Sequence, residues 1–280
     1  MRIALINSGL GLLAAAAELH RLRPDADLVL AMDPDGMPWG PRTPAEIVQR
    51  SLLCARAAAA YRPDVLVFAC NTGSVHALPA LRAELEPAIP VVGTVPAIKP
   101  AAAHSREVAI WATAATTASD YQRRLVEEFA AGARVAGVAC DGLADAVHAA
   151  DDAAVKSAIA AAAARTPPGC GAVVLGCTEY ELVAGRIGAE LPGARLFGSA
   201  AAVAGQALRR AGQAAPAGPD REIGSGEPAG QAGQAGPAGQ AAGGLQVLLS
   251  GRPAALPPAA LRYPEGLLLA RRPAIRSRAS

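Results

Sequence analysis

Aromatic residues are scarce in this chain: Phe, Trp and Tyr make up 3% of 280 residues, although hydrophobic residues reach 52%. Much of that apolar content is alanine, so the core is expected to consist of Val, Leu, Ile and Ala on helices and parallel strands. An excess of either charge is also missing. With 26 basic and 24 acidic residues the formal charge is +2, which leaves no electrostatic footprint for nucleic acid or a membrane surface. The partner that remains is a small, soluble molecule. No strongly apolar run reaches the ~18 residues of a membrane span. The chain opens directly on the strand-like Arg2-Ile3-Ala4-Leu5-Ile6 instead of a charged leader with a cleavage site, and a cytoplasmic protein is expected. Five cysteines, at 54, 70, 140, 170 and 177, are odd in number and form no C-x-x-C pair. Neither a disulfide framework nor a zinc knuckle fits that spacing, and reduced thiols are expected.

What is present is a regular alternation of strand-like and alanine-rich helical segments, the pattern of a parallel sheet with crossover helices. Strands are expected at 3–6, 28–32, 65–69 and 91–92, with helices at 11–22, 44–60 and 74–84, the second opened by Thr43-Pro44. A second unit begins near Pro96, with strands at 107–112, 134–139 and 172–176 and helices near 117–130, 152–165 and 180–191. Residues 196–198 and a helix over 199–211 lead the chain back. The expected fold class is α/β, with two pseudo-symmetric lobes of mainly parallel sheets flanked by helices. The first lobe takes 1–95 with 205–212 and 245–270, and the second takes 96–204. Residues 213–244 are almost wholly Gly, Ala, Gln and Pro, a composition that cannot offset its ordering entropy, and read as a flexible linker. The segment Leu245–Leu249 reads as a strand that rejoins the first sheet, and the basic, proline-broken 270–280 as a frayed tail.

One local pattern occurs twice. Val65-Leu66-Val67-Phe68-Ala69-Cys70-Asn71-Thr72 and Ala172-Val173-Val174-Leu175-Gly176-Cys177-Thr178-Glu179 each run from a buried strand through a small residue to a cysteine and a polar cap. Each thiol therefore stands at the carboxyl end of a strand where a helix begins. There the helix N–H groups and the positive end of the macrodipole favour thiolate, so the thiol can act as a base. Cys54 and Cys170 lack that context and read as small buried hydrophobes. Cys140 also ends a strand, but Asp141 offers a thiolate only repulsion. His76 follows Cys70 by six residues, well over a helical turn, and His20, His104 and His148 show no ligand spacing. No metal site is expected.

The ordered segments Asn7-Ser8-Gly9-Leu10-Gly11, Pro38-Trp39-Gly40-Pro41, Cys70-Asn71-Thr72, Thr113-Ala114-Ala115-Thr116 and Gly176-Cys177-Thr178-Glu179-Tyr180 resemble motifs of the aspartate/glutamate racemases. Those motifs are D-S-G-x-G, P-Y-G, A-C-N-T, G-T-x-x-T and G-C-T-H-Y, and the match spans roughly 1–210. The resemblance is strongest to the glutamate-specific branch. It implies an active site between lobes and a cofactor-independent, two-base racemisation of an α-amino acid. In that reaction Cys70 and Cys177 form the acid and base pair. Glu179, two residues after Cys177, either takes its proton and so primes it or raises its pKa by like-charge repulsion, and the priming role is preferred. Asn7, Ser8, Trp39, Gly40, Asn71, Thr72, Thr113, Thr116 and Thr178 are the implied substrate contacts, although a threonine at these positions also suits a helix cap. A homodimer fits the same resemblance.

The chain departs from the family pattern at three places. Asn7 stands where an aspartate is usual and cannot take a proton, Glu179 replaces the histidine after the second cysteine, and Trp39 replaces a tyrosine. Unequal rates in the two directions are expected from that asymmetry. Glutamate is the first substrate implied, with D-glutamate feeding peptidoglycan synthesis; Glu179 makes aspartate the second. Three other readings stay open: a different reaction on the same fold, an amino-acid sensor that has lost catalysis, and a nicotinamide site. The last rests on Gly9-Leu10-Gly11-Leu12-Leu13-Ala14 after a strand, with Asp33 about 20 residues on.

Overall fold

A computed structural model describes residues 1–130, 132–214 and 242–275. In chain order the elements are β1 (Arg2–Asn7), α1 (Leu12–Leu22), β2 (Asp27–Met32), α2 (Pro44–Ala59), β3 (Val65–Phe68), α3 (Asn71–Leu85) and β4 (Val91–Gly93). Then come α4 (Ile98–His104), β5 (Glu107–Ala112), α5 (Ala114–Thr117), α6 (Asp120–Phe129), β6 (Arg134–Ala139), α7 (Leu143–Ala149), α8 (Asp152–Arg165) and β7 (Ala172–Leu175). A 3-10 helix (Thr178–Val183) precedes α9 (Ala184–Glu190) and β8 (Arg195–Phe197). The last elements are α10 (Ala200–Arg210), β9 (Leu245–Leu249), β10 (Arg252–Ala254), a second 3-10 turn (Pro258–Arg262) and α11 (Pro264–Leu269).

The described residues fall into two compact units, one of 1–94 with 200–214 and 242–275, the other of 95–199. The first is built on a six-stranded sheet in the order β10-β9-β2-β1-β3-β4, parallel throughout except for the antiparallel edge pair β10–β9. β1 and β3 are buried along their whole length, which is why they read as continuous apolar runs and not as alternating strands. α2 and α3 bury Ile47, Cys54, Ala58, Ala77 and Leu81 against Ile6, Val29 and Phe68 on one face. On the other face α1 packs against α10 and α11. The alanines that line these helices let them approach the sheet closely and lose no rotamer freedom on burial.

The second unit holds a four-stranded, wholly parallel sheet in the order β6-β5-β7-β8. Its core joins Val108, Ile110, Val174 and Phe197 of the sheet to Ile98 of α4 and Leu125 of α6. The helix expected near 117–130 begins only at Asp120, behind a separate short α5, and the one expected near 180–191 is divided. Ser119 accepts from the Gln122 N–H and restarts the chain as α6 after the short α5. The segment after Cys177 winds as a 3-10 helix before α9. α4, α7, α11 and β10 were not foreseen; all are short, below the length at which apolar periodicity becomes distinct.

A buried carboxylate ties the first unit together. Asp33, at the carboxyl end of β2, is fully buried and accepts from Trp39 Nε1 at 2.9 Å, Arg50 Nε at 2.7 Å and Ser250 Oγ at 3.1 Å, with a second contact from Arg50 Nη2. Burial alone would raise its pKa. The bonds from Arg50, Trp39 and Ser250 outweigh burial and hold it below the usual carboxylate range. Asp33 is thus enclosed by protein donors, which overturns the nicotinamide reading that would have presented it to a ribose.

The C-terminal segment is more ordered than its composition implied. β9 extends the sheet parallel to β2, and Leu245 pairs with Ala274. Arg272 is buried, donates to the Ala26 carbonyl and meets His20 Nδ1, so residues 270–275 are not a frayed tail. The reason is that a carbonyl and a ring nitrogen replace the water that a basic side chain otherwise needs. Residues 276–280, and most of the expected linker at 215–241, lie outside the described residues. At the linker's end Gly243 packs directly on the Asp25–Ala26 backbone, where a Cβ would overlap the Ala26 carbonyl. Among the described residues no helix is long and apolar enough to cross a membrane.

Asp33→Ala leaves the Trp39 N–H and the Arg50 guanidinium without their acceptor and should cost about 3 kcal/mol, measured by urea unfolding; a loss below about 1 kcal/mol contradicts this role. The His20 pKa is held down by burial and by Arg272, so the folded state binds that proton less readily than the unfolded chain. Stability should therefore be full above the ordinary histidine value and fall as pH drops through it, from about pH 7.5 to about pH 5.5. His20→Gln should flatten that dependence in urea midpoints.

Candidate active site

In each unit the small residue before the cysteine closes the strand ladder. The Ala69 N–H donates to the Ile6 carbonyl at 3.0 Å, and the Gly176 N–H to the Trp111 carbonyl at 2.7 Å. Both cysteines then remain extended, Cys70 at φ −144° and ψ 122°, Cys177 at φ −129° and ψ 132°, each immediately before a helical segment. Gly176 has to be small, because a Cβ there would lie 2.9 Å from the Trp111 carbonyl oxygen.

Cys70 is the N-cap of α3, and its sulfur accepts the Gly73 N–H at 3.3 Å. Sulfur here fills the place of the oxygen that usually caps a helix, so negative charge on it meets an N–H and the positive helix end. Gly73 is required by close approach, since a Cβ would overlap the Phe68 ring. The neighbouring end of β1 supplies Asn7, fully buried, whose Nδ2 donates to the Ala69 carbonyl at 2.6 Å. Its Oδ1 accepts from Ser8 Oγ at 3.2 Å and from the Gly9 N–H at 3.4 Å. Asn7 thus braces the two strand ends beside Cys70, with Ser8 half-buried next to it. Asn71 is buried and Thr72 half-buried on the first turn of α3. The Trp39 side chain points inward, its N–H on Asp33 and its ring edge-on to Phe68 at 6.1 Å between centroids. What the Pro38–Pro41 turn offers a ligand is the half-buried backbone of Gly40, around which a Cβ would meet nothing within 4 Å.

In the second unit the groups differ. Cys177 Sγ lies 3.1 Å from Glu179 Oε2, and Thr178 Oγ1 donates to the same oxygen at 3.2 Å. Glu179 and Thr178 are buried and Cys177 is half-buried. The pairing favours a protonated Cys177 that donates to a carboxylate, with the proton poised to transfer. Thr113 ends the adjacent strand β5 and caps α5, accepting the Thr116 N–H at 3.3 Å and donating to Thr116 Oγ1 at 3.1 Å. The capping role open to Thr113 is realised, and Thr116 is tied to it.

The other cysteines have no such setting. Burial, reinforced by Asp33, pushes Cys54 up to about 12, and burial also pushes Cys140 up to about 12, so both stay neutral thiols near pH 7. Cys170 donates to the Ala172 carbonyl at 3.0 Å. Among the described residues no group of three or more His, Cys, Asp or Glu could hold a metal ion. Sequence reading missed Asp33 as the anchor of the Trp39 turn, for which its place at a strand end gave a signal that was assigned to a different ligand. The electrostatic interaction between His148 on α7 and Glu179 also leaves no trace in sequence spacing.

The chain matches the profile of the Asp/Glu/hydantoin racemases over residues 6–207. It is 37% identical over 189 residues to a glutamate racemase from Roseiflexus sp. (strain RS-1), covering 65% of this chain and 68% of that protein. To a glutamate racemase from Photorhabdus laumondii it is 35% identical over 216 residues, covering 72% and 73%. The structure of Escherichia coli glutamate racemase, in complex with L-glutamate and an activator, superposes with a TM-score of 0.74 at 27% identity, covering 93% of this chain and 91% of that one. With most of both sheets and both cysteine strands inside the matched span, the chain belongs to the Asp/Glu/hydantoin racemase family.

Proposed function

We propose that the protein is a glutamate racemase that interconverts L- and D-glutamate by two-base chemistry, with one thiol from each unit and no cofactor. The observation that carries this reading is the doubled arrangement of Cys70 and Cys177, each extended after a parallel strand, Cys70 with a backbone N–H that favours thiolate and Cys177 with a carboxylate that can take its proton. Relatives that bear the name glutamate racemase, and the neighbour whose structure holds L-glutamate, favour glutamate over aspartate.

The mechanism places a thiolate on one side of the substrate α-carbon and a thiol on the other. The thiolate takes the α-proton, and the thiol returns a proton to the opposite face. The carbanion between these steps needs donors at the α-carboxylate, a role for Ser8, Asn71, Thr72, the Gly40 backbone, Thr116 and Thr178. Cys177 enters as thiolate when Glu179 takes its proton. Asn7 contributes by holding the ends of β1 and β3 together and does not itself move a proton. The reaction is a cytoplasmic one, a homodimer is the assembly, and D-glutamate supplies peptidoglycan synthesis.

The reading is tested by incubating the protein with a panel of L-amino acids in deuterated water and following the α-proton by NMR. Loss is expected with glutamate, and exchange with aspartate alone would reassign the substrate. No exchange with any member would favour a sensor. Cys70→Ser and Cys177→Ser should each lower kcat for racemisation by at least about 10²-fold, the range of a lost acid or base. A variant that keeps wild-type kcat removes its cysteine from the chemistry.

A further inference from the structure

His148 is a titratable group near Glu179 to which the mechanism above gives no task. α7 packs against the 3-10 helix Thr178–Val183, and Tyr180 Oη donates to the Cys140 carbonyl at 3.4 Å, which fixes the chain leading into α7 on that segment. His148, in the last turn of α7, is half-buried, and its Nδ1 is enclosed with no hydrogen-bond partner among the described residues. The family motif places a histidine two residues after the second cysteine. This chain has Glu179 there, and His148, on the helix packed against that segment, lies near enough for its charge to interact with the Glu179 carboxylate.

We propose that His148 is a positioning residue for proton transfer at Cys177, acting through Glu179: as a neutral imidazole it leaves Glu179 open to the thiol proton, and as an imidazolium it blocks that transfer. The proposal rests on the racemase reading. Its step begins with Cys177 as thiol and Glu179 as carboxylate. The Cys177 S–H bond breaks and an O–H bond forms on Glu179, which leaves thiolate. The thiolate takes the α-proton, the electron pair stays on the substrate, and Cys70 donates its own proton to the other face. Exchange through water then moves the Glu179 proton to the Cys70 thiolate. A positive charge beside Glu179 stabilises the carboxylate and so opposes the first of these steps.

The surroundings of His148 support that role. Burial draws its pKa down, while Glu179 and then Asp145 draw it up, and burial prevails, so the ring is neutral near pH 7. α8 packs on α7 and carries Asp152, Lys156 and Arg165, and the 3-10 helix carries Glu179 and Glu181. Asp152 pairs with Arg186 at 2.6 Å, Arg165 with Asp141 at 3.3 Å, and Glu181 accepts from Ser199 Oγ at 2.9 Å. The charges that bear on the imidazole are Glu179 from the packed segment and Asp145 from its own helix.

Two measurements on the full chain test this. The first follows the His148 ring proton by NMR from about pH 8 to about pH 4.5 in wild type and in Glu179→Gln, with no substrate present. Its midpoint should fall in the variant, which has lost the carboxylate that favours imidazolium. An unchanged midpoint overturns the pairing, whether or not the protein is a racemase. The second follows kcat/KM against pH for wild type and His148→Asn; because the two enantiomers have equal free energy, the value is the same in both directions. The wild-type acid limb should follow the His148 midpoint and move to lower pH in His148→Asn. A general structural effect would lower kcat/KM at every pH and leave the limb in place, and that result overturns the proposal. Coupling by NMR in a protein that racemises nothing would retain the His148–Glu179 pair and reject the racemase reading.

Discussion

Parallel pairing is the constraint from which the candidate site follows. In a parallel sheet neighbouring strands finish on the same edge, so whatever follows their last residues is brought together without any further device. β1 delivers Asn7 and Ser8 beside the Cys70 that follows β3, and β5 delivers Thr113 beside the Cys177 that follows β7. In both pairs a single N–H from the small residue before the cysteine completes the ladder and sets where the extended chain turns into a helix. The duplicated geometry is thus a consequence of the fold, and the chemistry lies in the side chains added to it.

Those side chains are not duplicated. The Cys70 sulfur accepts an N–H at a helix start, whereas the Cys177 sulfur faces a carboxylate. One arrangement favours charge on sulfur directly, and the other gives its proton somewhere to go. For a reaction in which each cysteine alternates between acid and base, both directions use the same two groups in exchanged roles, and each role is supported differently in the two units. The first unit also relies on a carboxylate, but for architecture: Asp33 draws the Trp39 turn, α2 and Ser250 into one network, and so couples the Gly40 backbone to a segment more than two hundred residues away.

The two sheets, and the place of Cys70 and Cys177 at strand ends, were legible because their signals are local. Buried parallel strands are continuous apolar runs, and Cys70 and Cys177 stand at the ends of two such runs. Other features depend on tertiary neighbours and were not. Asp33 resembles a ribose ligand when only its spacing from Gly9 is considered, and its bonds to Trp39 and Arg50 come from residues whose side chains could have pointed elsewhere. Arg272 looked like part of a loose tail because nothing in its neighbourhood announces the Ala26 carbonyl that it reaches from 246 residues away. His148 had no spacing to Cys177 or Glu179 that implied contact, since α7 is too short to show a periodic face and meets the 3-10 helix only after folding.

The central claim is that two different thiols act on opposite faces of one α-carbon. It is tested most directly by stopping the reaction of L-glutamate in deuterated water early and measuring deuterium separately in the recovered L-glutamate and the D-glutamate formed. With one proton taken by a thiolate and another delivered by a separate, solvent-exchanged thiol, the product should carry deuterium at Cα while the recovered substrate does not. Deuterium shared between both pools, or a product that retains the original hydrogen, would mean that a single group removes and returns the proton, and would contradict the account.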